Sequence, residues 1–225
     1  MLAHEADLDC GVVVDGPFQR LATEGSLLSL LGQIGRDPGH FAAALNRHME
    51  EVRSAVGRAA KAGFDILLLT DDLAYAGGLY FSPDLFHRCL LPLYRDLIQR
   101  FSRDGLHWGW HSDGRVATIL PGLAAAGFRI FSLEAECVDL AAFKRAHRDR
   151  LCLGGIRAGW LADEHFDWEV RQTCVNEIAA LVREGGILLA SSCGIHNPAL
   201  LKNLREIYRI SDEWRMGPAE KVWLD

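Results

Sequence analysis

The sequence predicts an α/β protein built on a parallel sheet. Three observations carry this. Short aliphatic runs alternate with stretches of helical period over 225 residues, the pattern of successive βα units. The runs lack clean polar alternation, as strands buried on both faces do. Polar, chemistry-capable residues follow each run, at the edge where parallel α/β folds build their sites. Six runs qualify as strands: Cys10–Val14, Ile66–Thr70, Leu106–His111, Arg129–Leu133, Leu151–Gly154 and Ile187–Ser191. A closed (β/α)8 barrel needs eight strands and an open doubly wound sheet five or six, so periodicity alone leaves the two architectures tied.

The helices are specified in turn. Over Pro38–Ala62, residues Phe41, Leu45, Met49, Val52, Val56 and Ala59 recur at spacings of three and four, one apolar stripe, with Gly63 as the cap. Ser82-Pro83-Asp84 starts another helix, with Ser as N-cap and Pro at the first position, and Pro92 kinks or splits it. Asp167 to Glu184 places Val170, Cys174, Ile178, Leu181 and Val182 on one side and ends at Gly185-Gly186. Asn197-Pro198 caps a last helix, with Leu200, Leu204, Ile207 and Tyr208 facing inward.

Composition narrows the function. Apolar residues make up 49% and charged residues 24%, an ordinary globular balance for one large domain over 1–225. The net charge of −6 argues against nucleic acid or an anionic membrane as partner. No apolar run approaches the roughly 18 residues that span a bilayer. No signal peptide is read at MLAHEADLDC, and six scattered Cys without a CxxC pair fit a reducing, cytoplasmic setting.

The candidate site residues lie at the strand ends. In Gly109-Trp110-His111-Ser112-Asp113-Gly114, His111 and Asp113 are two apart and so project together. Cys193 ends the last strand, and His, Asp and Cys form an acceptable zinc triad with one open position. The bland alternative is an Asp–His hydrogen bond beside an inert Cys. Asp71 and Asp72 are candidates for a general base or for binding a substrate amine, with a helix cap as the bland alternative. Glu134 and Glu136 share a side and can divide acid and base roles. Gly155 and Arg157 can cradle an anion. Trp108 and Trp110 alternate with the site residues and should pack under the helices.

Taken in order, Asp15-Gly16-Pro17-Phe18, Ala62-Gly63-Phe64-Asp65, Thr70-Asp71-Asp72, Phe81-Ser82-Pro83, Trp110-His111-Ser112-Asp113-Gly114, Leu153-Gly154-Gly155-Ile156 and Ser192-Cys193-Gly194-Ile195 resemble the uroporphyrinogen decarboxylase superfamily. The resemblance runs over nearly the whole chain. It implies a TIM-type (β/α)8 barrel, or an incomplete version with about six recognisable strands. The segment carrying the first two strands of other members has no counterpart here. It also implies an enzyme, either a corrinoid- or thiol-linked methyltransferase or a decarboxylase of a carboxylated, uroporphyrinogen-like substrate. The methyltransferase branch fits better, because its zinc ligands are His-x-Cys and a later Cys. His111 and Cys193 match those positions, and Asp113 replaces the middle Cys. Zinc would then activate a thiol acceptor, with a corrinoid protein as possible donor. Uncovered sheet edges imply a homodimer. A non-catalytic binding protein, or a truncated family member, is the remaining expectation.

Overall fold

The computed structural model describes residues 9–103, 105–191 and 194–215, with side chains through residue 212. Six parallel strands form one sheet: β1 (Gly11–Asp15), β2 (Ile66–Thr70), β5 (His107–Ser112), β6 (Ile130–Leu133), β7 (Leu151–Ile156) and β8 (Ile187–Ser191). Their spatial order follows the chain without reversal. That is the order of a barrel wall, and it excludes a doubly wound sheet, whose order reverses about a central crevice. The fold is an incomplete TIM-type barrel. Between β2 and β5, β3 (Ala74–Tyr75) and β4 (Gly78–Leu79) make a small antiparallel hairpin that the sequence did not announce.

The helices cover one face of this sheet. They are α1 (Pro17–Thr23), α2 (Leu27–Arg36), α3 (Pro38–Ala62), α4 (Pro83–Leu85), α5 (Leu91–Phe101), α6 (Leu120–Ala126), α7 (Leu140–Ala146), α8 (Ala158–Ala162), α9 (Trp168–Glu184) and α10 (Pro198–Arg215). The expected stripe of α3 is buried throughout, from Phe41 to Ala59. Each such aliphatic side chain contributes about 1.5–3 kcal/mol through burial. Gly63 closes α3 in the left-handed region at φ 84°. Pro92 acts as expected in an unexpected form. A single π-turn, Phe86–Leu90, precedes it, re-routing the ladder that a proline ring disrupts.

Some expectations need correction. β7 runs to Ile156, because Gly154 and Gly155 stay in register with Leu189 and Ala190 despite positive φ. Val182 is 53% exposed. It follows Leu181 by 100° of helix turn, and Leu181 takes the inward position. Tyr208 is 41% exposed beside the fully buried Ile207, and its hydroxyl donates to the Leu189 carbonyl of β8. Trp108 and Trp110 pack under the helices as expected.

One core lies between β1–β7 and α1–α7, and a second joins Ile156 to α8, α9 and α10. No helix among the described residues is long and apolar enough to cross a membrane.

Candidate metal centre at the strand ends

Strand alternation sorts the residues here. Val14, Leu69, Trp110 and Phe131 are buried on the helix side, so their successors face the other way. The pairing register places those successors, Asp15, Thr70, His111 and Ser132, in one row across four adjacent strands. The Thr70 hydroxyl donates to Asp15 Oδ1 at 3.1 Å.

His111 is held from behind. Its Nδ1 lies 2.9 Å from Ser132 Oγ and 3.2 Å from the Ser132 carbonyl oxygen. Both contacts hold the ring through Nδ1 and turn Nε2 toward the mouth. That nitrogen faces two carboxylates, Asp113 Oδ1 at 3.6 Å and Asp72 Oδ1 at 3.9 Å. Both separations are too long for hydrogen bonds. They are close to the roughly 3.4 Å between donors sharing one tetrahedral ion. The ligating atoms of Asp72, His111 and Asp113 all lie within 4.8 Å of one another. The Asp113 amide donates to Asp72 Oδ1 at 3.2 Å, which fixes that carboxylate. Burial pushes the Asp113 carboxyl up, the His111 ring pulls it down, and Asp72 and Glu134 raise it again.

The surroundings are acidic and aromatic. Glu134 accepts from the Gly114 amide at 2.8 Å, pinning the turn that carries Asp113. The Cys137 thiol is pushed up to about 11 by burial, by its hydrogen bond to Glu134 and by that residue's charge. Tyr80 is raised by burial and by Asp72 and Asp113, so the segment after the β3–β4 hairpin borders the cluster. Gly114 has φ 80°, and a Cβ there would meet the Tyr75 amide nitrogen at 2.5 Å. The hairpin and the β5 loop are therefore locked together.

The sequence-based candidates divide. His111 and Asp113 come together as expected. Cys193 lies outside the described residues. Asp72, read as a base, stands where a third ligand would. Asp71, expected at the mouth, is instead fully buried on the helix side. It accepts from the first amides of α1, Phe18 and Gln19, and from the Tyr94 hydroxyl of α5. It caps α1 and ties it to α5. Its carboxyl is raised to about 7, by burial first, against those donors and with Asp72 adding to the rise. Glu136 is exposed. Gly155 and Arg157 line a separate cavity of about 460 Å³ beside the mouth. Ser132 was missed. Nothing in its local sequence marks it, and only the β5–β6 register sets it behind His111.

The family model described as uroporphyrinogen decarboxylase (URO-D) matches residues 10–214. Among solved structures, a methyltransferase from Methanosarcina mazei is similar at 19% identity and TM-score 0.70, covering 92% of this chain and 59% of its own. Dihydropteroate synthases from Xanthomonas albilineans and Yersinia pestis are similar at 16% identity each. Their TM-scores are 0.52 and 0.50, with 73% and 72% of this chain covered and 62% and 65% of theirs. The chain thus spans less than two thirds of each of these three proteins, and the likeness is one of fold. No curated protein matches the chain.

Proposed function

The chain belongs to the uroporphyrinogen decarboxylase family, and from that premise we propose an enzyme of the methyltransferase type, acting at a divalent metal held by Asp72, His111 and Asp113. The observation that carries this reading is His111 itself, whose Nδ1 is committed to Ser132 while Nε2 is aimed at two carboxylates. A hydrogen bond behind a metal-binding imidazole fixes its tautomer in this way. Zinc bound there would lower the pKa of a coordinated thiol and present it as a thiolate acceptor. Cys193, which the resemblance points to, would replace one of the carboxylates, so that three protein donors still leave a position open for the thiol. Two carboxylates make the set harder than a thiolate site, so manganese or magnesium are competitors.

The protein's own groups set up the rest. Ser132 orients the ring, the Asp113 amide orients Asp72, and Glu134 holds the Gly114 turn. On the same reading a corrinoid protein is the methyl donor, and a second copy of the chain covers the open edges of the sheet. Decarboxylation of a uroporphyrinogen-like substrate is the second reading, favoured by the family's name. Asp15, Asp72, Asp113 and Glu134 at the mouth oppose it, because they repel a carboxylate-rich tetrapyrrole.

The test is metal analysis of protein purified without added metal. The expected result is one divalent ion per chain, lost in His111→Ala with the circular dichroism spectrum unchanged. A metal-free protein that takes up no zinc, manganese or magnesium on dialysis would remove the metal and thiol-activation reading. Saturable binding of an anionic tetrapyrrole would then put decarboxylation first.

A further inference from the structure

The 460 Å³ cavity beside the mouth lies between the loops after β5, β6 and β7 and the face of α9. Its volume suits a small molecule. Its apolar wall is Leu140, Ala141, Ala180 and Leu181. Two guanidinium groups line it, Arg115 and Arg157. Arg157 donates through Nε to Glu177 at 2.7 Å and lies 5.8 Å over the Trp160 ring. That leaves its two Nη groups without a partner among the described residues. The Arg115 side chain has no ion pair or hydrogen bond among them.

The cavity's acids are largely committed elsewhere. Glu177 is spent on Arg157. Asp139 caps α7 by accepting from Ala142 N at 2.9 Å. Glu136 is exposed to solvent. The unpaired Arg115 and the free Nη donors of the Glu177-paired Arg157, above an apolar wall, match an amphipathic anion, because a guanidinium binds a carboxylate with charge-assisted, bidentate geometry. Glu134 stands between this space and the metal candidates: one of its oxygens holds Gly114, and its carboxylate also takes the Cys137 thiol.

We propose that this cavity binds a small organic acid, its carboxylate between Arg115 and Arg157 and its apolar body against Leu140, Ala141, Ala180 and Leu181. The ligand's part in a reaction rests on the mouth being the reaction site; its binding does not. Calorimetric titration with hexanoate tests it, with hexan-1-ol as the neutral control of the same length. Hexanoate should saturate in the millimolar range or tighter, and hexan-1-ol should bind at least about tenfold more weakly, the scale of one charge-assisted contact. Arg115→Met and Arg157→Met should each weaken hexanoate by about the same factor, while His111→Ala leaves it unchanged. A metal-free protein that still binds hexanoate in this way would sink the metal reading and leave the inference standing. Equal binding of acid and alcohol, absence of hexanoate binding, wild-type affinity in both arginine variants, or loss of binding in His111→Ala would each overturn it.

Discussion

The two faces of the sheet differ sharply. On the helix side Val14, Leu69, Trp110, Phe131 and Cys152 are nearly or fully buried. On the opposite side Val13 is 61% exposed and Leu188 52%. Those two residues belong to β1 and β8, the first and last strands of the open order. The helices bury the helix-side row of the strands, whereas Val13 and Leu188 on the lumen side are left open. The same lumen side carries Asp15, Thr70, His111 and Ser132 at its C-terminal end. Stability therefore resides on one face and the candidate chemistry on the other, and the pair Asp71 and Asp72 shows the division within two residues. Asp71 points into the helix layer and caps α1. Asp72 points toward the mouth and faces His111.

Substitutions on the two faces should separate accordingly. Trp110→Ala, on the helix side, should destabilise by about 3–5 kcal/mol in urea titrations. A cost near zero would erase the contrast. Gly114→Ala joins an unfavourable φ to a clash with the hairpin backbone, and should cost about 3 kcal/mol. It should also lower metal uptake, since Asp113 precedes it.

The pH dependence sharpens the comparison at Asp71. Its carboxyl rises from 3.8 to about 7 on folding, so the folded protein holds a proton that the unfolded chain releases. The resulting stabilisation is complete below pH 3.8 and is lost as pH rises to about 7. The slope in that window should be up to about 1.4 kcal/mol per pH unit, and Asp71→Asn should flatten it. An unchanged slope would mean that the capping carboxyl does not titrate there.

On the lumen face the effects should be small in stability and visible in binding. Ser132→Ala should move stability by no more than about 1 kcal/mol but weaken metal affinity about 10–100-fold, by competition with a chromogenic chelator. Val13→Thr, an exposed position, should stay within about 0.5 kcal/mol of the wild type. A larger loss would show that Val13 is covered in solution, as a second copy of the chain would cover it, and light scattering would then detect the assembly.

The sequence by itself determined the parallel α/β class, because strand and helix periods are local properties. It placed β2 and β8 to the residue and the buried stripe of α3 from Phe41 to Ala59. It also brought out His111 and Asp113, since alternation at the end of a strand points residues two apart the same way, although Asp113 lies just past the last residue of β5. The sequential strand order was only one of two options until the sheet was seen. The approach of Asp72 to His111 and the support from Ser132 depend on which strands are neighbours and in what register. These are long-range pairings, and no short window of sequence encodes them. The fate of Asp71 is of the same kind. Its local sequence equals that of a mouth carboxylate, and only the packing of α1 and α5 against β2 sends it inward, where its charge is costly and the amides of α1 meet it.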